Sequence, residues 1–122
     1  MNYIKKFNSL MWHDAKLLNI EIDRSNPGEL DIIRAHIKWP NDVEEYLVFR
    51  DCYFADFKMN FGVISEETIF DAICSDNDPQ ILAVQEKWAP LGVELNKLLS
   101  YKINTNSTNS ILKIYALLFE VE

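Results

Sequence analysis

Cationic residues are missing from a quarter of this chain. No Lys or Arg lies between Lys58 and Lys87, yet the stretch holds Glu66, Glu67, Asp71, Asp76, Asp78 and Glu86. Setting those six acids aside from the 19 in the chain leaves 13 against 12 bases, so the net charge of −7 is concentrated in one block. A one-sided acidic surface disfavours nucleic acid and anionic membrane and favours a basic protein partner. Glycine and proline are also sparse, at three and four of 122 residues. That scarcity excludes long flexible linkers and low-complexity tracts. There are only two cysteines, Cys52 and Cys74, with no CxxC spacing and no histidine cluster beside them. A disulfide scaffold and a zinc site are both poorly served by that pattern, and buried free thiols are expected.

Long apolar runs are missing as well. The two lysines near the N-terminus are not followed by a stretch suited to a signal peptide, and the apolar segment Ile111–Val121 is short and broken by Lys113 and Glu120. The expectation is a cytoplasmic protein. With 48% hydrophobic residues the chain suits a single domain, 1–122, built on one core.

What is present reads mainly as strand. Leu18, Ile20 and Ile22 alternate with Asn19, Glu21 and Asp23, the period-two pattern of a strand with one wet face. Ser25-Asn26-Pro27-Gly28 has the chemistry of a chain reversal, since Pro presets the backbone and Gly accepts the positive φ that follows. A second strand places Ile33, Ala35, Ile37 and Trp39 on one face and Ile32, Arg34, His36 and Lys38 on the other. After a turn at Pro40-Asn41-Asp42, the spacing predicts two strands, Glu45–Arg50 and Cys52–Met59.

The middle of the chain reads as helical. Ser65 suits a cap, Glu66 and Glu67 suit the positive end of a helix dipole, and Ile69, Ala72 and Ile73 recur at helical spacing. Asp78-Pro79 is a second start signal, followed by Ile81, Leu82, Val84 and Trp88; Pro90 ends that helix, and Gly92 to Leu99 has room for a third. The C-terminus reads as a hairpin. Tyr101 to Thr105 alternates, Asn106-Ser107-Thr108-Asn109 turns, and Ser110 to Val121 returns as the longest strand, apolar on both faces and therefore central, with helices on one side. The expected fold is α+β: an antiparallel sheet of about six strands with two or three helices inserted before a C-terminal hairpin.

Three places carry chemistry-bearing residues. Trp12-His13-Asp14 joins a histidine to an acid, but metal ligation or acid–base work needs further ligands, and His36 is the only other histidine. A structural motif is favoured, with Asp14 accepting backbone N–H bonds and His13 packed beside Trp12. Ser107 and Thr108 lack a base and an oxyanion turn, so turn chemistry accounts for the polar run Asn104 to Ser110. The acidic block is the third. Glu66, Glu67, Asp71, Asp76 and Asp78 are the residues expected to meet a partner, with at least two of Glu66, Glu67 and Asp71 sharing an exposed helical face.

Several of these pieces together resemble small bacterial immunity proteins of polymorphic and contact-dependent toxin systems. They are the Trp12-His13-Asp14-Ala15 motif entering a strand, the Asp23–Gly28 turn, Met59-Asn60-Phe61-Gly62, and the closing Asn104–Ser110 turn. Trp12 stands where that family more often has Phe. The resemblance implies a non-enzymatic inhibitor, monomer or homodimer, without cofactor or metal, that holds a cognate toxin domain. Nuclease toxins carry basic grooves, which an acidic face would approach quickly. Two other classes remain open from the residues: a homo-oligomeric assembly module pairing through a sheet edge, and a small hydrolase using His13 and Asp14 with Asp51 or Asp56.

Overall fold

A computed structural model describes residues 2–122. The chain opens with a helix that its composition did not announce, α1 (Tyr3–Asn8), whose first turn is closed by the Asn2 side chain accepting from the Lys5 N–H at 2.9 Å. Strands β1 (Lys16–Asn26) and β2 (Leu30–Lys38) follow, joined at Pro27 and Gly28, where Gly28 takes φ +88°. Next come β3 (Glu44–Lys58) and β4 (Ile69–Ser75), then α2 (Pro79–Trp88) with a single 3-10 turn (Ala89–Leu91), and the hairpin β5 (Leu99–Thr105) and β6 (Ile111–Val121). All neighbouring strands pair antiparallel in one six-stranded sheet, in the order β1-β2-β3-β6-β5-β4. The fold is α+β.

β3 and β6 lie at the centre, which suits strands apolar on both faces. On one face Leu112, Ile114, Ala116 and Phe119 join Ile33, Ala35, Ile37 and Trp39 around Phe7 of α1. The Phe7 ring is fully buried between Trp12, Phe49, Tyr101 and Phe119, with centroids 4.7 to 6.3 Å away. On the other face Tyr115 and Leu117 meet Ile81 and Val84 of α2 together with Leu95 and Leu98. The sheet therefore carries a helix on each face, where helices on one side alone were expected. The sheet also curls: Lys16 at the start of β1 bridges Thr68 just before β4, bringing its two edges together.

Several expectations are corrected. The helix expected across Ser65 to Ile73 is a loop followed by β4. Ile69, Ala72 and Cys74 point to the core while Phe70 and Ile73 are exposed. A register slip between Ile69 and Asp71 produces the odd inward step, and that step imitates helical spacing. Backbone pairing with β5 then decides in favour of strand over local capping signals. The two strands expected around Asp51 are one strand of 15 residues, kinked at Asp51, where φ is +54°, and slipped between Cys52 and Phe54. β3, not β6, is thus the longest strand. In β1 a slip between Leu17 and Asn19 sets Leu17, Ile20 and Ile22 opposite Ile37, Ala35 and Ile33 and turns Leu18 away, so Ile20 and Ile22 share one face as expected but Leu18 does not, and Ile22 on that face is still exposed. Residues 92–98 form no helix, and only α2 and the 3-10 turn stand between β4 and the closing hairpin.

Candidate functional site

The ten residues between β3 and β4, numbers 59 to 68, form a loop whose two ends are fastened and whose tip is not. At the first end the Asn60 N–H donates to Ser110 Oγ at 2.9 Å, and the Asn60 side-chain amide donates to the carbonyls of Thr108 and Asn109 at 2.9 and 3.2 Å. At the second end the Asn106 N–H donates to the Thr68 carbonyl at 2.8 Å, and the Asn106 amide to Thr68 Oγ1 at 3.1 Å. Glu67 accepts from both the N–H and the hydroxyl of Thr108, and Ser107 donates to the Glu66 carbonyl. The polar turn of the β5–β6 hairpin is therefore a clasp. Its Asn, Ser and Thr residues satisfy the backbone of another loop, which is more than a turn requires.

Between the fastened ends the tip Phe61-Gly62-Val63-Ile64 stands out from the protein. Phe61 is 81% exposed, Ile64 is fully exposed and Val63 is half exposed. Phe70 and Ile73 on the outer side of β4 add apolar surface next to it in sequence. Water-exposed aromatic and aliphatic groups clustered in this way mark contact surfaces more often than scattered surface apolars do.

Carboxylates sit at the base of this tip. Glu66 pairs with Lys16, whose ammonium, hydrogen-bonded to it and close in charge, holds the Glu66 carboxyl below its usual range while Glu66 holds Lys16 above its own. Asp71 accepts from the Asn104 side chain at 2.6 Å. Of the six acids in the block, Glu66 alone has a cationic partner among the described residues. The helical face expected to carry at least two of Glu66, Glu67 and Asp71 is absent, because none of the three lies on a helix. Glu66, Glu67 and Asp71 flank the start of β4, and Asp76 and Asp78 follow its end, about 20 Å further along at the rise of an extended strand. Asp78 is the cap of α2, accepting from the Gln80 N–H at 2.8 Å, and it also accepts from Tyr115 at 3.1 Å and Ser100 at 3.3 Å. Burial and the Asp78 charge together raise the Tyr115 phenol well above its ordinary value. Asp76 remains exposed beside a broad groove containing Leu82 and Leu98.

The Trp12-His13-Asp14 motif is a tight turn leading into β1. Trp12 is buried, its indole donating to the Phe7 carbonyl at 2.7 Å. His13 and Asp14 are mostly exposed, 3.7 Å apart, with the His13 ring 3.4 Å from the Phe70 carbonyl. The expected role for Asp14 is corrected here: no backbone N–H donates to its side chain among the described residues. What the turn needs from Asp14 is its backbone, at φ +64°, so that its own N–H reaches the Ile69 carbonyl at 3.1 Å. Aspartate tolerates that left-handed conformation better than most residues. Asp51 lines a groove elsewhere with Arg24 and Asp31, and Asp56 faces Lys58 at 3.9 Å. No group of three or more His, Cys, Asp or Glu side chains is placed to hold a metal ion among the described residues. No helix among them is long and apolar enough to cross a membrane. Both cysteines are free, and burial pushes each thiol up to about 12.

No protein-family model matches this chain, and no curated protein matches it significantly.

Proposed function

We propose that this chain is a non-enzymatic, immunity-type protein that holds and neutralises a cognate bacterial toxin domain in the cytoplasm. The contact is the clasped loop: Phe61, Val63 and Ile64 insert into an apolar cleft, and Glu66, Glu67 and Asp71 face a basic rim around it. The observation that carries this reading is the fastening of an exposed apolar tip at both ends. A loop already ordered loses little conformational freedom on binding, so its apolar area contributes to affinity with a small entropic cost. The surrounding carboxylates act mainly on encounter with a basic partner, a nuclease groove being one such surface. The resemblance to immunity proteins supplies the class of partner.

The test uses the toxin domain that this reading expects to be encoded beside this chain. Mixed with it, the protein should form a one-to-one complex that suppresses the toxin. Replacing Phe61 and Ile64 together by Ser should leave the fold intact and speed dissociation by at least about a hundredfold, since burial of two large apolar groups is worth about 3 kcal/mol or more. Asp71→Asn should instead slow association at low salt and flatten its salt dependence. Unchanged dissociation of the double variant would sink the proposed contact, and absence of any complex would sink the inhibitor reading.

One observation favours a second reading, an assembly module. β1 is an edge strand with Leu18 and Ile22 exposed, and it could pair with a second copy. Sedimentation at micromolar concentration separates the two: a stable homodimer that Leu18→Lys dissociates points to assembly.

A further inference from the structure

A groove of about 560 Å³ lies between the β1–β2 hairpin, the kinked middle of β3 and the last residue of α2. Its size is that of a site for a small ligand or a short peptide segment. Much of the lining is apolar and aromatic: Ile22, Ile32, Phe54 and Trp88, with Tyr53 edge-on to Trp88 at 5.2 Å. The rim is acidic, with Glu29, Asp31 and Asp51 against a single cation, Arg24. Arg24 is committed to Asp31 at 2.8 Å, and the Gly28 N–H fills the other Asp31 oxygen at 3.2 Å, so that pair is closed within the hairpin. Glu29 accepts only from the Asn26 amide, and Asp51 has no partner among the described residues. Asp51 also occupies the left-handed region, at φ +54°, in the kink that shapes the groove wall. Kinks of this kind in a strand re-aim a side chain.

We infer that this groove receives an arginine side chain presented by a segment of a partner protein. Two unneutralised carboxylates give the charge complementarity. The aromatic lining chooses among cations, because a guanidinium is planar, lightly hydrated and stacks on Trp, Tyr and Phe while its fork reaches a carboxylate. A lysine offers a point charge without the stack. The inference stands apart from the clasped loop, shares no residue with it, and holds or fails whatever the partner's identity.

The probe is the peptide acetyl-Gly-Arg-Leu-Arg-Gly-amide, titrated into isotopically labelled protein while amide and indole resonances are followed. Its control replaces each Arg by citrulline, which keeps the shape and removes the charge. The Arg peptide should shift the amides of Ile22, Asp51, Tyr53 and Phe54 and the Trp88 indole. The citrulline peptide should bind about fivefold or more weakly, as should the Arg peptide with Asp51→Asn, the size of one exposed cation contact. Asparagine accepts the left-handed backbone as aspartate does, so this variant keeps the kink, and its own spectrum verifies the fold. Equal binding of both peptides, shifts that map elsewhere, or an unchanged affinity in Asp51→Asn overturns the inference. A homodimer whose formation shifts the same amides overturns it too, since the occupant is then a second copy.

Discussion

Asn8 fastens α1 to the outer edge of β4. Its side-chain oxygen accepts the Cys74 N–H at 2.7 Å, and its amide donates to the Cys74 carbonyl at 3.1 Å. One side chain thus takes the place that a seventh strand would occupy at that residue. Asn8→Ala removes both bonds and leaves a peptide group of a residue only 1% exposed without them. A lost net hydrogen bond costs about 1 kcal/mol and an orphaned buried donor about 1–3, so the sum should be about 2–4 kcal/mol. With a urea m-value of about 1.5 kcal/mol/M for a domain of this size, the midpoint should fall by about 1.3–2.7 M at unchanged slope. Asn8→Asp is the sharper variant. An ionised carboxylate still accepts from the N–H but faces the carbonyl oxygen with no donor, whereas the protonated acid restores one. Relative to the parent, the Asn8→Asp variant should therefore be destabilised near neutral pH and recover as the pH falls below its new carboxyl pKa. A loss under about 0.5 kcal/mol in the Ala variant, or a pH-independent deficit in the Asp variant, would refute the bidentate account.

Three further outcomes are expected. At Asp14, replacement by Ala should cost about 1 kcal/mol and replacement by Gly should cost nothing, because the turn needs a left-handed backbone; equal losses in the two urea titrations would return the role to the carboxylate. Glu66, Asp23 and Asp31 are held below their usual carboxyl pKa by hydrogen bonds from Lys16, from Ser25, and from Arg24 with Gly28, so the stability they add is present above the unfolded carboxyl pKa and is lost as the pH falls through their folded values. Thermal midpoints that stay level from about pH 6 to about pH 3 would contradict that. Cys52 and Cys74, pushed up to about 12 by burial, should react with a thiol reagent near about pH 8 at least about a hundredfold more slowly when folded than when unfolded, and fast native labelling of either would show an opening the packing does not suggest.

How much of this was legible in the sequence differs by kind of information. Strand β2, the Pro27-Gly28 reversal, the Asp78-Pro79 helix start and the closing hairpin follow from local chemistry, and all stand where the residues put them. Errors occur where β-strands carry an extra residue. At Leu17–Asn19, at Cys52–Phe54 and at Ile69–Asp71 a register slip shifts which residues face the core, and periodicity alone then misreads the face or the element. α1 escaped notice because six residues are too few for a periodic signal, and its stability comes from Phe7 in the core and Asn8 at the sheet edge. The clasped loop was legible only in part. Its anchors are long-range, joining Asn60 to residues 108–110 and Glu66–Thr68 to residues 106–108. One available signal was the excess of Asn, Ser and Thr from 104 to 110 over what one turn uses. The other was the apolar Phe61–Ile64 run with no periodic partner.

On the proposed reading, the same residues explain why the loop rather than a sheet edge is the surface offered to a partner. An open edge strand invites pairing with any other chain, and proteins blunt such edges by covering or kinking them. Here β4 is covered by Asn8 at Cys74 and by Asp14 and Ala15 at Ile69, while Leu17 bonds to Glu67 just before its start. β1 carries two register slips along its length, and a slipped strand is a poor template for a straight neighbour. With both edges managed by local devices, main-chain recognition is suppressed. Specific side-chain recognition then falls to apolar groups that are exposed on a tethered segment. Phe61, Val63 and Ile64 are such groups, because both ends of their loop are held by the hairpin turn of β5 and β6, the second of these at the centre of the sheet. Loosening the clasp should therefore weaken partner binding without touching the contact itself. Asn60→Ala removes both side-chain bonds to residues 108 and 109, leaves the apolar tip unchanged, and should slow association more than it speeds dissociation, since fewer molecules hold the competent loop at encounter. A loss confined to dissociation would mean that Asn60 touches the partner directly.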